Sequence, residues 1–405
     1  MEKKPVSIFN IAVIVAALGY FVDIYDLLLF SIIRIPSLRD LGLNDAQIAS
    51  DGLYIINAQM IGLMLGGIAW GVLGDKKGRL KVLFASIILY SLGNIANGFV
   101  QNVEQYAIIR FITGFGLAGE LGAGITLVSE LLPKNKRGIG TSLVAGIGLT
   151  GAVVAFFIKE NFHWRTCYFI GGGLGFMLLF LRVGVLESGM FQTMDKSVSK
   201  GNFFMFFTNA GRLKKYLLCI LIGLPTWYVI GILVSFSKEF GEHMNIRGAV
   251  DPGKAIMFAY AAISVGDIAI GFLSQALRSR KKSLYIFYGI TAVGIAWFFS
   301  LEGASVNAVY AACALLGFGT GFWAIFVTIA AEQFGTNIRA TAATTVPNMV
   351  RGSLALISLL FTAMIPSAGY VVSGLITGVV VLIIAVISAI MTEETFNKEL
   401  NYIER

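Results

Sequence analysis

Charge is what this chain of 405 residues has least of: Asp, Glu, Lys and Arg together make up 13% of it, against 57% hydrophobic residues. Soluble domains carry about 25% charged residues, so the shortage argues against a water-soluble fold and for a chain that lies in lipid. Histidine is scarcer still. His163 and His243 are too few and too far apart for a metal cluster. The three cysteines, Cys167, Cys219 and Cys313, are odd in number, sit in apolar surroundings and lack metal spacing. They exclude a disulfide framework and a zinc site. No nucleophile–base set accompanies the apolar runs, so the chain reads as no enzyme, with no cofactor and no metal.

What is abundant agrees. The 47 glycines suit membrane helices, because small residues let such helices approach closely. The N-terminal "MEKKPVSIFNIAVIVAALGYF" has the basic start of a signal peptide. Its apolar stretch runs past twenty residues with no small-residue cleavage site before Asp23, and it reads as a retained first helix. A helix needs about 20 residues to cross the hydrocarbon core. By that rule the sequence predicts twelve spans, at 8–33, 51–73, 81–100, 105–131, 138–158, 166–186, 214–236, 254–276, 283–301, 305–330, 341–365 and 369–391. The expected fold is an all-α membrane protein of two pseudo-symmetric six-helix bundles, 1–186 and 214–391. A linker at 187–213 joins them and a tail follows at 392–405.

Basic residues orient the spans. With the N-terminus in the cytoplasm, 22 Lys and Arg fall on that side and 7 on the other, and Arg110 and Arg351 fall inside spans. Both termini are therefore expected in the cytoplasm. The net charge of +8 is a topology signal and calls for no nucleic acid.

The halves repeat at about two hundred residues. "GIAWGVLGDKKGRLK" at 67–81 lies over "DIAIGFLSQALRSRKK" at 267–282, and "GFG" at 114–116 recurs at 317–319. Glu130 precedes Arg137 as Glu332 precedes Arg339, by seven residues. Such a repeat places a site between the halves, near the midplane.

The stretch "GVLGDKKGRLK", with Gly71, Asp75, Gly78 and Arg79 at a turn between the second and third spans, resembles the loop signature of the major facilitator superfamily. "AGELGAGITLVSELLPKNKRG", "HWRTCYFIGGG" with "LESGMF", and "EETFNKELNYIE" are similar to segments of its metabolite–proton symporters and sugar-porter relatives. The resemblance departs at the exit of the sixth span, which lacks a second glutamate and a proline, and at Gln275, which replaces an aspartate. It implies alternating access, an aspartate on the first span that serves proton coupling, matched here by Asp26, and an inner gate. The gate positions are Asp75, Arg79, Glu130, Arg137, Glu332 and Arg339. The plain reading of those charges is topology alone.

Charges inside the spans ask for a reason, because intramembrane ionisable groups mark ion and substrate pathways. Asp23 and Asp26 are about 60° apart and share a helix face. Measured from the predicted span ends, Asp26 and Arg110 lie at similar depth, and Glu120 lies about 15 Å deeper than Arg110. Asp26, Asp23, Arg110 and Glu120 form either a proton-coupling set or static packing pairs. Arg351 has no counterpart in the first half, where "GIGLTG" aligns. Its planar fork suits a carboxylate or phosphate ligand, or it pairs with Asp267. Tyr25, Asn57, Gln59, Trp227, Trp323 and Asn348 complete the candidate substrate lining.

A channel needs a continuous polar lining, and here charges are sparse. A non-transporting receptor or sensor needs a soluble domain, and no loop is long enough. The reading is a secondary transporter that moves a small anionic, carboxylate-bearing metabolite with protons through the lipid bilayer of the cytoplasmic membrane, as a monomer. The alternative is a proton-coupled exporter of drugs or siderophores.

Overall fold

Polar caps decide where the helices begin. The computed structural model describes residues 11–120, 128, 132, 134–181, 203–398 and 402–403. Helix α1, Ile11–Asp40, outruns its predicted end at 33 because Arg34 and Leu38 are buried rather than in a loop. Asn44 and Gln47 then form a reciprocal capping box that opens α2, Asp45–Lys77. α3 covers Arg79–Asn97, and Asn102 caps α4, Val103–Leu117. The fifth span is two helices, α5 (Lys134–Leu149) and α6 (Gly151–Asn161), and α7 (Trp164–Leu181) is the sixth.

A 3₁₀ turn at Phe203–Phe206 precedes the next helix, and its Phe206 ring stacks on Tyr216 at 4.4 Å. α8, Ala210–Tyr228, continues as a π-helical turn, Val229–Val234, before the short α9, Ser237–His243. Asp251 caps α10, Pro252–Ala276, with proline at the first turn where its missing N–H costs nothing. Ser279 caps α11, Arg280–Phe299. The tenth span divides into α12 (Val306–Gly319) and α13 (Trp323–Glu332). The eleventh divides into α14 (Arg339–Gly352) and α15 (Leu354–Ala368), and α16 is Tyr370–Met391.

Among the described residues, ten helices are long and apolar enough to cross a membrane, with a shorter apolar one at Lys81–Asn97. With α4 in the predicted fourth span, these match the twelve predicted spans. Apart from one isolated bridge, Arg247 to Ser305, the described residues carry no strand pairing. Large apolar side chains such as Phe180 (78% exposed) and Leu356 (70%) point outward, while Asp23, Asp26, Arg110 and Arg351 are buried. That polarity is the reverse of a soluble protein and suits a lipid surround.

The internal repeat is visible in packing. A Cβ at Gly114 would sit 2.3 Å from the Gln59 carbonyl oxygen, and one at Gly317 would sit 2.1 Å from that of Ala259. The next glycines, Gly116 and Gly319, meet the backbone nitrogens of Tyr90 and Thr291 at 2.8 and 2.7 Å in the same way. Each "GFG" presses its helix against equivalent neighbours two hundred residues apart.

Candidate functional site

Three spans of the second half are interrupted inside the bundle. In α8 the interruption follows Pro225, which lacks an N–H, and in the π-helical turn beyond it the Ile230 carbonyl accepts both the Ser235 N–H at 3.1 Å and the Ser235 hydroxyl at 2.7 Å. In the tenth span the chain turns at Thr320–Phe322, and Asp267 Oδ1 accepts the Ala324 N–H at 2.9 Å, capping α13. In the eleventh span the break at Ser353 leaves Arg351 in the last turn of α14, where the helix dipole favours a cation. Irregular backbone at this depth is tolerated where protein or a cavity surrounds it, and such breaks mark binding sites in transporters. Trp227, Trp323 and Arg351 all lie beside one.

Arg351 reaches the other half. Its Nη2 stands 3.9 Å from Asp23 Oδ2, and its Nη1 donates to Asn348 Oδ1 at 3.1 Å. Asn348 is itself fixed across the seam, donating from Nδ2 to the carbonyls of Ala118 at 2.9 Å and Thr344 at 2.8 Å. The guanidinium carbon lies 5.7 Å from the Trp323 ring centre, within cation–π range. Arg351 Nε has no hydrogen-bond partner among the described residues, nor have the indole nitrogens of Trp227 and Trp323. Tyr20 and Tyr260 stand within electrostatic reach of both Arg351 and Asp23. The expected alternative, an Arg351–Asp267 pair, does not form; Asp267 is turned to the α13 N-terminus through Oδ1.

Arg110 is held differently. Its Nη2 donates to the main-chain carbonyl of Asp26 at 2.9 Å and its Nε to Gln59 Oε1 at 3.3 Å, and its guanidinium lies 5.7 Å from the Tyr168 ring. Gln59 in turn donates to the Leu27 carbonyl at 3.0 Å. The Asp26 carboxylate has Asn94 and Arg110 as neighbours, but neither of its oxygens makes a hydrogen bond of good geometry. It fits because residue 171 is glycine: a Cβ there would sit 2.5 Å from Asp26 Oδ1. Tyr25 donates to the Cys167 carbonyl at 2.8 Å. All these partners belong to the first half.

One expectation about this region is corrected. Because α1 extends to Asp40, Asp26 lies fourteen residues from the helix end, about 20 Å, and not seven. Asp23 and Asp26 remain within electrostatic reach of each other, but they meet different neighbours. The 60° between them is enough to aim Asp23 at α14 and Asp26 at α7.

At the end of the bundle that carries the α2–α3 turn, Asp75 Oδ2 accepts the Thr341 N–H at 2.7 Å and the Thr341 hydroxyl at 2.5 Å, bridging the halves at the start of α14. Arg280 pairs with Glu332 at 3.1 Å, and Arg339 is buried. Glu130 lies outside the described residues, as do the side chains of Arg79 and Arg137. Glu120 is buried.

The chain's end also docks at this face. Glu394 accepts the Ser279 hydroxyl at 2.5 Å and the Arg280 and Lys281 N–H groups at 2.9 and 3.2 Å. Burial opposes its charge, but these bonds, with one from the Phe396 N–H, outweigh it and hold the carboxyl below the usual range. The sequence reads this segment as a plain tail.

The opposite end closes with ion pairs between halves. Arg34 donates to Glu239 Oε1 at 2.8 Å and the Ser235 carbonyl at 3.2 Å, and lies 4.3 Å from the Phe236 ring centre. Lys159 meets Asp251 at 2.9 Å, and Lys238 meets Asp45 at 3.5 Å. Asn57, predicted to line the site, donates to Ser358 Oγ at 3.2 Å across the same seam. Hydropathy assigns Arg34 to a loop, so its role was missed; the signal available was an apolar residue at 38 one turn on.

The profile of the family described as Major Facilitator Superfamily matches residues 11–357. The chain is 26% identical to "Niacin transporter NiaP" of Acinetobacter baylyi over 444 aligned positions, covering 100% of this chain and 98% of the relative. It is 30% identical to the "4-hydroxybenzoate transporter PcaK" of Pseudomonas aeruginosa over 183 residues, 44% of this chain and 40% of that one. Among solved structures, the proton:xylose symporter XylE superposes with a TM-score of 0.78 at 16% identity, covering 97% of each chain.

Proposed function

From the premise that this chain belongs to the Major Facilitator Superfamily and is a multi-pass, non-enzymatic transporter of a small organic acid, we propose that its substrate is an aromatic monocarboxylate taken up with protons. One observation carries the reading: Arg351, buried at the seam between the halves, presents an Nε without a partner beside the Trp323 ring. A guanidinium with an open edge binds a carboxylate through two parallel bonds, and the aromatic groups around it suit a flat ring. Relatives named for niacin and 4-hydroxybenzoate support that class.

Transport proceeds by alternating access in a monomer, between halves at 1–186 and 214–391, in the cytoplasmic membrane with both termini in the cytoplasm. The Asp75–Thr341 contact closes the cytoplasmic side, with Arg79, Glu130, Arg137, Glu332 and Arg339 around it. The Arg34–Glu239, Lys159–Asp251 and Lys238–Asp45 pairs close the other, and each set opens in turn. The α1 carboxylates carry the proton.

Purified protein in liposomes, offered radiolabelled nicotinate, 4-hydroxybenzoate and non-aromatic acids with and without an inward proton gradient, tests this. Aromatic acids are expected to accumulate, faster with the gradient. Uptake indifferent to the gradient, or proton-driven efflux of cations, would overturn it in favour of a uniporter or an exporter.

A further inference from the structure

Away from Arg351, a groove on the outer surface of the second half combines an apolar floor with a basic mouth. It runs between α11 and α16, beside the exposed Val293 and Ile383, and holds about 410 Å³. Tyr285, Gly289 and Ala292 line it from one helix and Leu382, Val386 and Ile390 from the other. Each set keeps the three- and four-residue spacing of a single helix face. The groove exists because two of these positions are small, and a Cβ at Gly289 would meet nothing within 4 Å. Its walls are pinned: Tyr288 donates to the Ile222 carbonyl of α8 at 2.8 Å, and Tyr285 to the Ala389 carbonyl at 3.4 Å. From Tyr285 to Ala292 it follows the axis of α11 for about 10 Å, parallel to the acyl chains of a bilayer.

The mouth lies at the start of α11. Lys281 Nζ donates to the Ile390 carbonyl at 2.8 Å, which sets its ammonium at the end of the groove. Arg278, in the turn before α11, and Lys282, in its first turn, are exposed and make no ion pair among the described residues. Glu394 is the acid at this corner, close enough to act on Tyr285. Its oxygens already accept from Ser279, Arg280 and Lys281. We infer that this groove binds an anionic phospholipid, with one acyl chain between α11 and α16 and the headgroup phosphate on Arg278, Lys281 and Lys282. The apolar lining suits any lipid tail, so the cations choose among the heads. A zwitterionic head brings an ammonium of its own to a corner whose carboxylate is taken up, and an anionic head does not. The corner belongs to the end of the bundle that the basic residues assign to the cytoplasm, where basic pockets between spans recognise such heads.

Native mass spectrometry of the full chain tests it, with protein stripped of lipid in detergent and titrated with phosphatidylglycerol or phosphatidylethanolamine of identical chains. The first phosphatidylglycerol is expected to bind about tenfold tighter or more than phosphatidylethanolamine. Lys282→Gln should weaken it about fivefold, and phosphatidylethanolamine less. Gly289→Leu fills the groove without touching a charge and should weaken it about tenfold, the cost of excluding two methylenes. Both positions are exposed, so both variants should melt as wild type does. Should either fail to fold, phosphatidylglycerol with a photoreactive chain decides on wild type, and peptide mapping should find the label on α11 and α16. Equal affinity for the two lipids, undiminished binding in both variants, or label spread over all spans would overturn the site. Dimers that Gly289→Leu dissociates would give the groove to a second copy of the chain and overturn it as well.

Discussion

Arg110 and Arg351 are both buried guanidiniums in the interior of the bundle, one in each half, and they are held in opposite ways. Arg110 is tied into its own half by the Asp26 carbonyl, Gln59 and the Tyr168 ring. Arg351 touches both halves, fixed on one edge by Asn348 and loosely met on the other by Asp23. Under the alternating access proposed above, the first arrangement would stay intact as the halves move, while the second would have to change. On the proposed reading Arg110, satisfied within one half, is a strut, and Arg351, half-satisfied at the seam, is the site.

The largest effect that tests this contrast is expected from Arg351→Ala. Removing one partner of a desolvated charge pair costs at least about 2 kcal/mol, so affinity for nicotinate should drop about 30-fold or more, and uptake should vanish. Equilibrium binding to purified protein checks it. Affinity within threefold of wild type would place the carboxylate elsewhere.

Arg110→Ala comes next, and its loss should show in the fold. Leaving the buried Asp26 region without its cation costs about 3–5 kcal/mol, read as a lower melting temperature. An unchanged melting temperature with pH-driven uptake gone would return Arg110 to the coupling machinery. The smallest effect is expected from Gly171→Ala, which puts a Cβ 2.5 Å from Asp26 Oδ1 and 3.0 Å from the Tyr25 ring. Overpacking of this kind costs about 1–3 kcal/mol, again in melting temperature. A change in the number of protons taken up per substrate would instead tie Asp26 to the substrate step.

Much of this was legible in the sequence. Apolar runs place the helices, the "GFG" pair exposes the repeat, and Asp23, Asp26, Arg110 and Arg351 stand out because charge is rare in such runs. What the sequence does not carry is the rotation of each helix about its axis. Asp23 and Asp26 are 60° apart, and that angle separates a residue facing Arg351 from one facing Gly171. Nor does it carry the break in the tenth span. The turn at Thr320–Phe322 contains no proline, so hydropathy runs through it, and Asp267 reads as a substrate-site residue or the partner of Arg351 rather than the cap of α13. Glu394 looks like a solvated tail residue until Ser279 and Arg280 are seen around it.

The central claim is the proposed one, that a monocarboxylate held by Arg351 enters together with one proton, so transport moves no net charge. Initial rates of nicotinate uptake into liposomes, driven either by an inward proton gradient at zero potential or by a potassium diffusion potential at equal pH, test it most directly. The account predicts strong stimulation by the proton gradient and none by the potential; acceleration by an inside-negative potential alone would contradict it.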